Sequence, residues 1–220
     1  MSVSNEGLLA EYYAKRAREY ERIYDKPERQ EDLEALRGLL SKLLAGQDVL
    51  EIACGTGYWT HIVARTAHSI LATDLNEEVL QIAMEKSFFN CNVSFRRADA
   101  FHLEELKRND FTACLATFWW SHLPRAEIDP FLKQLHGVLS PETLVLFVDN
   151  RFVAGSSTPL SRRDGTGNTY QIRRLDSGES FDVLKNFPDR REVEAVLSNH
   201  AAEIQWRELN YYWLVAYRTR

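Results

Sequence analysis

Between Asp48 and Val148 strand-like and helix-like segments alternate, and this restricts the fold more than any other feature of the chain. Asp48 to Ala53 reads as a buried strand, Tyr58 to Ala67 as helix, Ser69 to Thr73 as strand and Asn76 to Ser87 as a helix capped by Asn76. Asn92 to Arg97 and Phe111 to Thr117 read as further strands. Ala126 to Leu139 is a helix opening just after Pro124, and Thr143 to Val148 a β-branched and aliphatic strand. Such alternation predicts a parallel sheet covered on both faces. Upstream, apolar residues at helical spacing from Leu8 to Tyr24 and from Leu33 to Leu44 predict two amphipathic helices, with Gly46 as a C-cap signal. Downstream, a helix from about Arg190 to His200 precedes two strands, Glu203 to Leu209 and Tyr211 to Arg218, with Asn210 at the tip of an antiparallel hairpin.

Residues 151–188 are too long for an ordinary connection. Loop chemistry in AGSSTPLSRRDGTGN leads into an expected hairpin, TYQIRRL turning at DSGE into SFDVLKN, as in a lid or binding element. This segment carries six basic and four acidic residues, although the whole chain has a net charge of −5. The surplus of acid elsewhere speaks against general nucleic-acid binding, which needs clustered cations. With 220 residues, 45% of them hydrophobic, the chain can bury roughly 70% of its unfolded surface as one domain. No apolar run approaches the ~20 residues that span a bilayer, and the N-terminus resembles no secretory signal, so a cytoplasmic location is expected. Cys54, Cys91 and Cys114 are odd in number, widely spaced and outside any CxxC pair, which predicts reduced thiols and no metal site.

The chemistry begins at VLEIACGTGYWT, Val49 to Thr60, where a strand runs through Gly55-Thr56-Gly57 into a helix. Glycines there let a ligand approach a helix N-terminus closely, although a tight turn alone would use them too. Thr60 stands where a dinucleotide fingerprint wants its third glycine, and no P-loop string is present. Acids instead mark the strand ends. Glu51 lies in the first strand, Asp74 closes SILATD about where a ribose-binding acid belongs, and Asp99 follows the third strand in RRADAF. The carboxyl ends of consecutive parallel strands face one crevice, where open α/β sheets bind ligands.

Together these strings resemble the class I S-adenosylmethionine-dependent methyltransferases over nearly the whole chain. The resemblance implies a Rossmann-like α/β fold: a seven-stranded, mostly parallel sheet with a C-terminal antiparallel hairpin, N-terminal helices and a β-hairpin lid insert. One methyltransferase domain is expected, comprising a helical cap (1–45), a cofactor-binding core (46–150), the lid (151–188) and a C-terminal helix and hairpin (189–220). The implied cofactor is S-adenosyl-L-methionine, with S-adenosyl-L-homocysteine as product. Gly55 and Gly57 would cradle its methionine part, Asp74 hold the ribose, and Asp99, Ala100 and Phe101 frame the adenine. Glu51 would support the turn or reach the amino group through water. Ala53, Trp59, Leu75 and Thr117 complete the expected cofactor set, and Tyr13, Arg16 and Tyr20 of YYAKRAREYERIYD would close over it, although an aromatic stripe at helical spacing is also a core signal. His122 in Ser-His-Leu-Pro matches a family habit near the cofactor or acceptor, as a general base or orienting group.

The acceptor side is read from the fourth strand end and the lid. Trp119 and Trp120 suit either core or site, with Trp119 assigned to the acceptor together with Tyr170, Arg173 and Lys185. Alternation places Gln171 with Arg173, and Phe181 and Val183 with Lys185, so the two cations are expected as anion clamps; an edge-strand lysine snorkelling to solvent is the plainer reading. RRLDSGESFDVLKNF is similar to the matching part of a small subgroup that includes a phosphonate O-methyltransferase of antibiotic biosynthesis, whereas SSTPLSRRDGTGNTY has no counterpart there. The expected function is methyl transfer to the O or N of a small anionic molecule, in secondary metabolism, by a monomer or homodimer with no nucleic-acid or membrane partner. The alternative is an enzyme that cleaves or cyclises the aminobutyrate arm of S-adenosylmethionine itself. No Asn/Asp-Pro-Pro-Tyr string follows the fourth strand, which disfavours nucleic-acid amino methylation.

Overall fold

The computed structural model describes residues 5–89, 91–106 and 110–220; residues 1–4 of the N-terminal cap lie outside them. Strand β1 (Asp48–Ile52) is flanked in parallel by β2 (Ser69–Asp74) on one side and β4 (Ala113–Thr117) on the other. Strand β3 (Asn92–Arg97) extends β2, and β5 (Leu144–Asn150) extends β4, again in parallel. Antiparallel β10 (Tyr212–Thr219) lies beside β5, and β9 (Ala201–Glu208) closes the edge, giving the order β3-β2-β1-β4-β5-β10-β9. The expected seven-stranded sheet and its C-terminal hairpin are both present. Strand order reverses between β1 and β4, and that switch point opens a crevice at their carboxyl ends.

Helices α2 (Gln30–Leu43), α3 (Tyr58–Val63) and α4 (Glu77–Met84) cover one face, α5 (Ile128–Val138) and α6 (Arg190–Leu197) the other. In β5, Val145 and Phe147 pack with Phe131, Leu135 and Val193, while Leu146 and Val148 pack with Leu36, Leu40 and Val63. All four β5 residues are fully buried, as a strand covered on both faces requires. No helix among the described residues is long and apolar enough to cross a membrane.

Three local expectations change. The periodic stretch Leu8 to Tyr24 is not one helix: α1 (Asn5–Arg16) tightens into a 3-10 segment, Ala17–Asp25. There the Tyr24 ring stacks on Tyr58 at 3.9 Å, and its hydroxyl accepts the Trp59 indole N–H at 3.1 Å, so tertiary packing overrides local propensity. Asn76 stands at the α4 N-cap without a side-chain cap bond; its backbone N–H donates to Asp74 Oδ1 at 2.9 Å instead. The lid is a three-stranded antiparallel sheet, β6 (Arg162–Arg163), β7 (Thr169–Arg174) and β8 (Ser180–Leu184). Its extra strand exists because Asp164 Oδ1 accepts the backbone N–H groups of Thr166 and Asn168 at 2.9 Å each, closing a hairpin inside the glycine-rich stretch. Helix α1 lies on this small sheet, with Tyr12 against Val183 and Leu175.

The turn from β1 into α3 needs glycine at position 57. Gly57 has φ of 73°, and a Cβ there would lie 2.9 Å from Ala83 Cβ on α4. Gly57→Ala is therefore expected to lower unfolding stability by about 2–4 kcal/mol in a urea titration. Gly38→Ala in α2, where a Cβ meets nothing within 4 Å, should leave stability unchanged or raise it by up to about 1 kcal/mol.

Candidate active site

Above the carboxyl ends of β1, β2 and β4 lies a cavity of about 280 Å³. Its floor is Ala53 and Gly55 from the β1–α3 turn, Asp74 and Leu75 from the end of β2, and Thr117 to Trp119 from the end of β4. Asp99, Ala100 and Phe101 form one side, and Tyr13 and Tyr20 reach in from the N-terminal segment. Asp74 organises this floor, its Oδ2 accepting the Gly55 N–H and its Oδ1 the Asn76 N–H, both at 2.9 Å. Burial pushes its carboxyl pKa up against these bonds. Two non-glycine residues of this floor, Ala53 at φ 53° and Phe118 at φ 60°, stand in the left-handed region. Such conformations cost of order 1–3 kcal/mol each and persist where the surroundings dictate them, commonly at functional sites.

A second cavity of about 90 Å³ lies under the lid, sharing Tyr13, Tyr20, Phe118 and His122 with the first. Five cations line it: Arg16, Lys26, Arg29, Arg173 and Lys185. Lys185 has a carboxylate partner, Asp149 Oδ1 at 3.3 Å. Among the described residues the other four donate to neutral oxygens: Arg16 to the Tyr12 hydroxyl, Lys26 to the Ser156 carbonyl, Arg29 to Ser156 Oγ and Asn150 Oδ1, and Arg173 to Thr158 Oγ1 and Gln171 Oε1. Burial first of all lowers the pKa of Lys185 and of Arg173. A chamber so built gains from an incoming anion.

His122 stands in the wall between the cavities. A carbonyl can only accept, so Nδ1 carries the proton and donates to the Leu184 carbonyl at 2.8 Å. Nε2 is therefore an acceptor, filled by the Tyr13 hydroxyl at 2.7 Å, with Lys185 Nζ at 3.4 Å. Burial and then Lys185 hold the imidazole pKa well below its usual value, so the ring is neutral near pH 7. Burial likewise pushes the Tyr13 phenol up.

Residues 49–142 match the family model of a methyltransferase domain. The whole chain superposes on the "DhpI-SAH complex" with a TM-score of 0.75 at 25% identity, covering 100% of this chain and 98% of that one. The "DhpI-SAM-HEP complex" gives 0.77 at 25% identity, covering 99% of each chain. The fold is that of the class I methyltransferases, and the matched domain together with the SAH- and SAM-bound likenesses supports an S-adenosylmethionine-dependent methyltransferase. Magnesium protoporphyrin IX methyltransferase from Synechocystis PCC 6803 shares the fold at a TM-score of 0.66 and 13% identity, covering 100% of this chain and 99% of that one. No curated protein matches the sequence.

Most of the residues expected around a cofactor converge on the larger cavity: Tyr13, Tyr20, Ala53, Gly55, Asp74, Leu75, Asp99, Ala100, Phe101, Thr117 and His122. Arg16 turns instead into the cationic chamber. Glu51, Gly57 and Trp59 stand behind the floor: Glu51 Oε2 accepts the Thr60 hydroxyl at 2.7 Å, Gly57 abuts α4, and Trp59 is in the core. Burial pushes the Glu51 carboxyl up to about 8. Arg173 and Lys185 both line the smaller cavity, but Trp119 lines the larger one, edge-on to Phe101 at 6.0 Å, and Trp120 is core. Tyr170 lines neither cavity. It alternates away from Gln171 and Arg173, lies under the Arg162 guanidinium and donates to Asp164 Oδ2 at 3.0 Å, so it serves the lid's own hairpin. Lys26, Arg29, Asp149 and Asn150 were not foreseen. The last two end β5 and obey the same strand-end rule that singles out Asp74, whereas Lys26 precedes and Arg29 ends a short 3-10 turn with no sequence signal.

Proposed function

We propose that the protein transfers the methyl group of S-adenosylmethionine to an ionised oxygen of a small acid held in the cationic chamber. S-adenosylmethionine is the methyl donor and would occupy the larger cavity, where Asp74 would take the ribose hydroxyls, Asp99 with Ala100 and Phe101 the adenine, and the Gly55 turn the methionine part. DhpI, a likeness that spans the whole chain, has been solved as an SAH complex and as a SAM-HEP complex, in keeping with a donor and a second molecule bound together. The observation that carries the acceptor reading is the adjoining cavity of about 90 Å³ with five lining cations. Its volume limits the bound part of the acceptor to a few heavy atoms, and its charge rejects an ammonium group.

Transfer is an in-line displacement. An acceptor oxygen lone pair forms the new bond to the methyl carbon while the carbon–sulfur pair returns to sulfur, so a sulfonium and an oxyanion become a thioether and an ester. Charge is neutralised, and the chain's part is alignment and exclusion of water. No proton leaves an acceptor that is already ionised. That fits His122, whose Nε2 is filled by Tyr13 and whose protonation beside Lys185 is disfavoured. His122 then orients Tyr13 at the partition instead of acting as a base. Accordingly kcat should stay flat from about pH 6 to 8, and His122→Asn should lower it about tenfold without changing that profile. An acid limb that disappears in the variant would restore the general-base role.

The direct test is incubation with methyl-labelled donor and HEP, or with small carboxylic acids. Label should enter an ester with one S-adenosylhomocysteine formed per methyl group. Methylthioadenosine released without any acceptor would instead establish cleavage or cyclisation of the donor.

A further inference from the structure

Asp149, at the end of β5, has no exposed surface and does not line the cationic chamber, yet three segments of the chamber wall meet on it. Its Oδ2 accepts the Ser121 N–H at 2.8 Å, fixing the turn that carries His122. Its Oδ1 accepts the Asn150 N–H at 2.7 Å and Lys185 Nζ at 3.3 Å. The same ammonium donates to Ser121 Oγ at 2.5 Å, and Asn150 passes the connection on to Arg29 at 3.1 Å. The strand end, the turn and the lid cation are thus held through one carboxylate.

The charges facing Lys185 come from every side of the chamber. Asp149 from β5 is the anion; Arg173 from β7 and Arg16 from α1 are cations, and neutral His122 lies at 3.4 Å on the 120–122 turn. A buried ammonium in that company stays in place only while an opposite charge compensates it. We propose that Asp149 is the positioning residue of the chamber, fixing the Lys185 ammonium and the His122 turn in one arrangement without touching the acceptor. What that arrangement serves rests on the acceptor reading above; the arrangement itself does not.

The test uses the full chain, ligand-free, with isotopically labelled lysine, the Lys185 side-chain resonance being assigned by its loss in Lys185→Arg. Asp149→Asn keeps the shape and removes the charge. The Lys185 titration midpoint should fall by at least about one pH unit in this variant. Ser121→Ala, which keeps the carboxylate, should move it by less than about half a unit, and this second variant remains informative if Asp149→Asn does not fold. An unchanged midpoint in Asp149→Asn, or a fall of one unit or more in Ser121→Ala, would overturn the proposal. With HEP and S-adenosylmethionine, Asp149→Asn should raise KM for HEP about tenfold or more with the S-adenosylhomocysteine Kd within twofold; loss of kcat alone would count against positioning. If the wild-type protein leaves HEP and small carboxylic acids unmethylated while the midpoint shift appears, the acceptor reading falls and the positioning role stands.

Discussion

Lys185→Met should reduce kcat/KM for the acceptor by about two to three orders of magnitude while the dissociation constant for S-adenosylhomocysteine stays within about twofold. The substitution removes the innermost cation of the chamber and leaves Asp149 buried without its counter-charge. Breaking a buried pair in this way costs about 3–5 kcal/mol, and each 1.4 kcal/mol is a factor of ten. Part of that loss falls on stability, so the unfolding midpoint should drop as well. The larger cavity, proposed for the donor, is not lined by Lys185, which is why donor affinity is the internal control. Steady-state kinetics on HEP together with calorimetry of S-adenosylhomocysteine measure both numbers on one preparation. Comparable losses in the two would mean that donor and acceptor do not occupy separate chambers.

Asp74→Ala should act on the other chamber, weakening S-adenosylhomocysteine binding about 100-fold or more. Two contributions combine. Hydrogen bonds from ligand hydroxyls to a carboxylate are worth about 1.5–3 kcal/mol, and the variant also releases the Gly55 and Asn76 N–H groups that shape the floor. Asp99→Asn should cost less, about tenfold at most, because this side chain is 38% exposed and the amide oxygen can still accept the Phe101 N–H. Calorimetric titration of the three proteins gives the order directly. Equal effects at both positions would show that the ligand does not lie along the ends of β2 and β3 as the proposed orientation requires.

The core of the fold was legible because it is written in short-range patterns. Val145 to Val148 read as a doubly covered strand, and Asp74 is found by counting from the glycine turn, since strand ends and helix starts are fixed by local chemistry. What was hidden depends on contacts between distant segments. The break after Arg16 is set by Tyr24 stacking on a residue of α3, and nothing in the periodicity of residues 8–24 reports it. Strand β6 is two residues long and is created by a carboxylate at the first position of the turn, so it carries no alternation of its own. Arg16 sits at helical spacing with Tyr13 and Tyr20 but turns to the other side of the partition, a choice made by the Tyr12 hydroxyl at 2.7 Å. The pairing of Lys185 with Asp149 joins residues 36 positions apart, beyond any motif, although each ends a strand or adjoins one.

The proposal that two molecules meet across the Tyr13–His122 partition is tested most directly by a crystal structure of the protein with S-adenosylhomocysteine and HEP. The sulfur is predicted to face the partition from the larger cavity, with HEP within hydrogen-bonding distance of Lys185 and Arg173 on the other side. HEP bound outside that chamber, or a sulfur turned away from Tyr13 and His122, would contradict it.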